Sequence, residues 1–145
     1  MMDIEIIDKP FTVELYGFSG VAVNRNFGET GMRLMNKMWG LVKSNQLKNK
    51  GVNVWVYENQ NLFTGVELEE TPGNNIGLEF KKVTLVKYVR YKHIGPYHKL
   101  YEANAHLREA VTAKGYKTAY PCLEIYGHAT PNENESETDI LVSLL

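Results

Sequence analysis

Val52-Asn53-Val54-Trp55-Val56-Tyr57-Glu58 has a counterpart later in the chain, Cys122-Leu123-Glu124-Ile125-Tyr126-Gly127. Each run follows a helix-patterned stretch and a glycine, Gly51 in the first case and Gly115 in the second. With Tyr57 set against Tyr126, Trp55 falls opposite Glu124, and Val54 and Val56 fall opposite Leu123 and Ile125. Successive side chains of a strand point to opposite faces. One face therefore receives only aliphatic residues, and the other receives Trp55, Tyr57, Glu124 and Tyr126. If the two strands are related by a pseudo-twofold axis, those four side chains converge near its centre.

Outward from these strands, the same order of elements occurs twice. Phe11, Val13 and Leu15 alternate with Thr12, Glu14 and Tyr16, the period-two pattern of a half-buried strand. Over residues 28–48 the pattern turns helical, with Leu34, Met35, Met38, Leu41 and Val42 in one stripe that Met32 and Trp39 widen. Lys48 and Lys50 suit the negative end of that helix, and Gly51 is placed to end it. Strands over 52–58 and 62–69 follow, joined by the turn Asn59-Gln60-Asn61. Thr71-Pro72-Gly73-Asn74-Asn75 is turn chemistry between the halves.

The second half opens on a long strand region, 78–92, in which Val83, Leu85, Val89 and Tyr91 share one parity. Gly95-Pro96 breaks it, and the proline opens a helix over 96–114 with Leu100, Ala103, Leu107, Ala110 and Val111 on one face. Gly115 ends that helix. Closing strands at 123–127 and 140–145 flank a polar loop, residues 130–136. The expectation is one α+β domain over 1–145: a first half of about 10–70, a linker of about 71–77, and a second half of about 78–145. Its antiparallel sheet carries two main helices.

Composition narrows the function classes. The chain has 145 residues, a net charge of −1 and only short basic clusters at 48–50 and 81–82, so direct nucleic-acid binding is not expected. No apolar run approaches the roughly 20 residues that span a bilayer. The start, Met1-Met2-Asp3-Ile4-Glu5, lacks the basic region of a signal peptide. One cysteine, Cys122, cannot form an internal disulfide, which suits a reducing cytoplasm, and beside Pro121 it reads as a small buried hydrophobe. His93, His98, His106 and His128 show no metal-binding spacing, so neither metal nor cofactor is expected. His93 itself lies where strand meets Gly-Pro, and it either braces that turn or reaches ligand; Tyr91 shares its parity.

The acid among three aromatics carries chemistry. A carboxylate between aromatic walls loses hydration, and it regains that loss when an organic cation arrives. Cation–π contacts then add about 0.5–2 kcal/mol each. Flat walls reward planar or lipophilic ligands through buried area. The same carboxylate, with Tyr126 as proton donor, has the parts to activate water against an electrophile. Met32 and Trp39, at the margin of the first helix stripe, are further candidates for the binding wall, with Tyr91 and His93.

Tyr88-Val89-Arg90-Tyr91-Lys92-His93-Ile94-Gly95-Pro96-Tyr97 resembles the strand-to-helix signature of the GyrI-like domains. Leu123-Glu124-Ile125-Tyr126 resembles their central acidic strand, and Glu137-Thr138-Asp139-Ile140-Leu141-Val142-Ser143-Leu144 their closing strand. The likeness is strongest over 82–145. It implies duplicated, SHS2-like β-α-β-β halves with a ligand cleft between them. It implies further that the glutamate matching Glu124 contacts lipophilic cations, as in the effector domains of multidrug-responsive transcription activators. Other relatives of this type are hydrolases that open cyclopropanoid DNA-alkylating toxins with the matching glutamate, and another branch protects or inhibits DNA gyrase. No DNA-reading helix-turn-helix precedes Phe11, so a sequestering, partner-signalling or ligand-transforming role is expected. The leading expectation is a binder of lipophilic, aromatic or cationic xenobiotics, as monomer or homodimer. The alternative is a cofactor-independent detoxifying hydrolase using Glu124 and Tyr126, and the third is a gyrase partner.

Overall fold

The computed structural model describes residues 3–128 and 130–145, with Asn74 by its backbone. Met1 and Met2, the start of the segment read for a leader, and Ala129, within the second half, lie outside the described residues. The described residues form eight strands and two α-helices, in chain order β1 (Glu5–Ile7), β2 (Phe11–Val21), α1 (Phe27–Ser44), β3 (Asn49–Glu58), β4 (Asn61–Leu68), β5 (Glu79–Leu85), β6 (Tyr88–Ile94), α2 (Leu100–Ala113), β7 (Thr118–Tyr126) and β8 (Glu137–Leu144). The strands form one antiparallel sheet in the order β1-β6-β8-β7-β3-β4-β2-β5. Exchanging β1 with β5, β2 with β6, β3 with β7 and β4 with β8 returns the same order read from the other edge. β3 and β7 meet at the centre, and Trp55 is the register partner of Glu124, the pair that the sequence alignment sets opposite each other.

The two faces of the sheet are covered differently. On one, α1 buries Leu34, Met38 and Val42 against Phe18 and Val66, while α2 buries Leu100, Ala103, Leu107 and Val111 against Val89, Ile140 and Val142. The helices thus flank the β3–β7 seam and leave it uncovered between them. Among the described residues the other face bears no α-helix, yet Val13, Leu15, Val54, Val56, Val83, Leu85 and Leu123 form one buried cluster there. Phe11 and Tyr88, on β2 and β6 near opposite edges, bring their rings to 6.1 Å. The sheet therefore curls around its own aliphatic face, as its strand twist allows, and presents the seam outward.

Three local readings change. The first helix ends at Ser44, where Asn45 turns its side-chain N–H back to the Leu41 carbonyl and Gln46 takes a φ of +53°. Lys48, Lys50 and Gly51 therefore belong to the approach to β3 and its interior, not to a helix end. Gly51, at φ +75°, lies in the irregular stretch where β3 slips register on β4 between Asn49 and Asn53. The strand region 78–92 is broken by Val86 and Lys87 into β5 and β6, and β5 pairs with β2 while β1 pairs with β6. Pro96 precedes a short 3-10 turn, Tyr97–Lys99, that leads into α2. Gly115 does terminate α2, at φ +87°.

Candidate functional site

The uncovered seam floors a cavity of about 830 Å³ between the two helices. Glu124 sits in its floor, only 8% exposed, next to Trp55 at 6%. Three side chains hold the carboxylate. The Tyr126 hydroxyl, two residues along the same face of β7, donates to Oε1 at 2.5 Å. The Tyr57 hydroxyl, from the adjacent β3, donates to the same oxygen at 2.6 Å. Asn104 of α2 donates its amide to Oε2 at 2.9 Å and to the Leu100 carbonyl at 3.0 Å.

All three donors are neutral, so they satisfy the carboxylate without cancelling its charge. Among the described residues no lysine, arginine or histidine forms an ion pair with Glu124. Burial, and then the charge of Glu124, push the Tyr57 and Tyr126 hydroxyls above the ordinary tyrosine range. Both remain donors at neutral pH. The floor of the cavity thus holds a buried carboxylate whose hydrogen-bond partners, among the described residues, are all neutral.

Aromatic edges and faces enclose that charge. Trp55 meets Tyr126 edge-on with centroids 5.4 Å apart, Tyr126 meets Tyr97 at 5.5 Å, and Tyr57 meets Phe27 at 5.4 Å. Gly31 of α1 is what lets the indole lie under the helix: a Cβ there would stand 2.2 Å from two ring carbons of Trp55. The indole N–H is buried without a hydrogen-bond partner among the described residues. Met32 and Met35 of α1 line the α1 side, the former 48% exposed. Tyr101, 86% exposed, and Tyr120 stand at the rim.

Of the candidates singled out by sequence, the cavity brings together Trp55, Tyr57, Glu124, Tyr126 and Met32. Tyr91, His93 and Trp39 are not among its lining residues. Tyr91 packs on the core under α2. His93 is buried and braces the turn, its Nε2 donating to the Pro96 carbonyl at 3.2 Å. Trp39 packs on the α1 core and donates its indole N–H to Asn53, itself a lining residue. Sequence reasoning missed Asn104 and Arg108, which line the α2 side with Leu100. Their signal was present: two polar residues at i+4 and i+8 from Leu100, along the flank of an otherwise apolar stripe. Cys122 also lines the cavity, and burial pushes its thiol up against the lowering effect of Arg108. Among the described residues no group of His, Cys, Asp and Glu is arranged to hold a metal, and no helix is long and apolar enough to cross a membrane.

No family model and no curated protein matches this sequence. Solved structures do. The EcmrR C-terminal domain superposes with a TM-score of 0.77 at 16% identity, over 100% of this chain and 98% of that one. SAV2435, solved bound to tetraphenylphosphonium, gives 0.65 at 15% identity over 100% and 94%. A hydrolase from Listeria innocua gives 0.59 at 10% identity over 99% and 92%. The chain therefore has the GyrI-like α+β fold, an eight-stranded antiparallel sheet with two main helices.

Proposed function

We propose that this protein binds lipophilic organic cations in the cavity over the β3–β7 seam, with Glu124 as counter-charge and Trp55, Tyr57, Tyr126 and Tyr97 as walls. The observation that carries this reading is the buried carboxylate held by neutral donors alone. A buried charge without a partner is costly. An arriving cation offsets that cost in a way that a neutral ligand does not. Aromatic faces within about 6 Å of the cation's centre add their own attraction. The similar fold of SAV2435 with a lipophilic phosphonium bound supports the same class of ligand. Fluorescence titration with tetraphenylphosphonium tests it: the cation should quench Trp55 saturably, and Glu124→Gln should weaken binding about 10- to 100-fold. Undiminished affinity in that variant would remove Glu124 from the account.

Hydrolysis is the second reading. Among the described residues Oε2 accepts only from Asn104, which leaves it a further lone pair to accept from a water, and a similarly folded Listeria innocua protein is a hydrolase. Incubation of a cyclopropane-bearing electrophile with the wild type discriminates the two. Glu124→Gln should then abolish turnover while leaving binding of that neutral substrate intact, with a loss of at least about 100-fold for a general base.

A further inference from the structure

The cavity has a second charged group. Arg108 lines it from α2, half-buried, and among the described residues its one side-chain hydrogen-bond partner is the Cys122 sulfur, at 3.6 Å from Nη2. Burial keeps that thiol protonated at neutral pH, so it does not neutralise the guanidinium. Among the described residues no carboxylate pairs with Arg108. Its own helix offers no acid one turn away either, since Asn104, Ala105, Val111 and Thr112 occupy those positions. The cavity thus contains one anion and one cation, each partnered by neutral groups rather than by the other.

Their spacing follows from the elements that hold them. Asn104 and Arg108 are four residues apart on α2, about 6 Å along a helix. Glu124 and Cys122 are two apart on one face of β7, about 6.6 Å along a strand. Helix and strand run in matching steps, so Asn104 meets Glu124 while Arg108 meets Cys122. The guanidinium is thereby set along the cavity from the carboxylate rather than on it.

We propose that the cavity is dipolar and selects zwitterionic aromatic ligands, the cationic centre settling over Glu124 and an anionic group, carboxylate or sulfonate, reaching Arg108. This deepens the cation-binding reading and rests on it. A planar guanidinium with free N–H donors suits such an oxyanion, with two parallel hydrogen bonds available. Arg108 would also repel a ligand that carries only positive charge, so the same residue favours one ligand class and penalises the other.

Rhodamine B, zwitterionic at neutral pH, and its ethyl ester, a pure cation, differ in that one carboxylate. Fluorescence anisotropy with both dyes tests the proposal on the wild type, Arg108→Gln and Glu124→Gln. The wild type should prefer rhodamine B. Arg108→Gln should weaken rhodamine B and tighten the ester, each by about fivefold or more, given the strength of charge pairs at such separations. A merely structural contribution of Arg108 would weaken both dyes together, and that result overturns the proposal. Equal affinity of the wild type for the two dyes overturns it as well. Glu124→Gln separates the two levels of the argument: weaker binding of the ester in that variant upholds the cation site even where the Arg108 result fails. Binding of neither dye to the wild type overturns both.

Discussion

Raising the pH should unfold this protein along a slope that its two buried tyrosines set. Tyr57 and Tyr126 both donate to Glu124, and both hydroxyls are pushed well above the value of 10.0 that the unfolded chain would show. Below about pH 10 they are protonated in both states and their contribution is whole. Above it the unfolded chain releases protons that the folded chain keeps, so stability falls as pH rises. Each such group contributes about 1.4 kcal/mol per pH unit. Integrated from pH 10 to 12, Tyr57 alone removes about 2 kcal/mol of the 5–15 kcal/mol of a typical domain, and Tyr126 shifts stability in the same direction. Cys122, raised by burial, adds to the loss from about pH 9. Tyr57→Phe deletes one titrating group. It should cost about 1.5–3 kcal/mol at pH 8, because a hydrogen bond to a charged carboxylate is lost, and it should then lose stability less steeply than the wild type by about 1.4 kcal/mol per pH unit. Urea unfolding at pH 8, 10, 11 and 12 measures both curves. Parallel curves above pH 10 would refute the claim that Tyr57 stays protonated in the folded cavity.

Three further substitutions probe the walls. Gly31→Ala puts a methyl group where the Trp55 ring lies; overpacking of about 1–3 kcal/mol should push the indole toward the cavity, shift its emission and lower tetraphenylphosphonium affinity at least tenfold. Asn104→Leu strips Oε2 of its protein donor and should destabilise the protein by about 1–3 kcal/mol in thermal or urea melts. His93→Phe removes the brace on Pro96. It should cost about 1–2 kcal/mol of stability in a urea melt while calorimetry gives an unchanged tetraphenylphosphonium affinity, since His93 lies outside the cavity lining.

The seam was legible because its pattern is local. Alternation in 52–58 and 122–127 assigns each residue to a face, and the internal repeat supplies the register that sets Trp55 against Glu124. Gly115 was likewise readable as a helix stop, because nothing competes with it there. Gly51 misled because a glycine with positive φ serves a bulge as readily as a helix end. The actual stop, Ser44-Asn45, depends on a side-chain bond back to Leu41. The exchange of β1 and β5 between halves was hidden for a different reason. Strand partners across the sheet are long-range choices, and the polar break at Lys87 is one residue wide beside the apolar Val86. Asn104 and Arg108 escaped notice because a polar residue on a helix flank looks solvated until the facing strand is known. His93 and Tyr91 share strand parity with residues of the α2-covered face, but parity places a side chain under the helix as readily as beside it.

The charge of Glu124 is the centre of the account, and a pair of ligands with one shape and opposite charge tests it most directly. Tetraphenylphosphonium and tetraphenylborate fill nearly the same volume and present the same phenyl surfaces. Calorimetric titration of the wild type with each, repeated on Glu124→Gln, isolates the sign of the charge from the apolar contacts. The carboxylate among neutral donors predicts that the phosphonium binds at least about tenfold tighter than the borate, and that most of this preference disappears in Glu124→Gln. Equal binding of the two ions by the wild type, or a preference that survives the substitution intact, would contradict it.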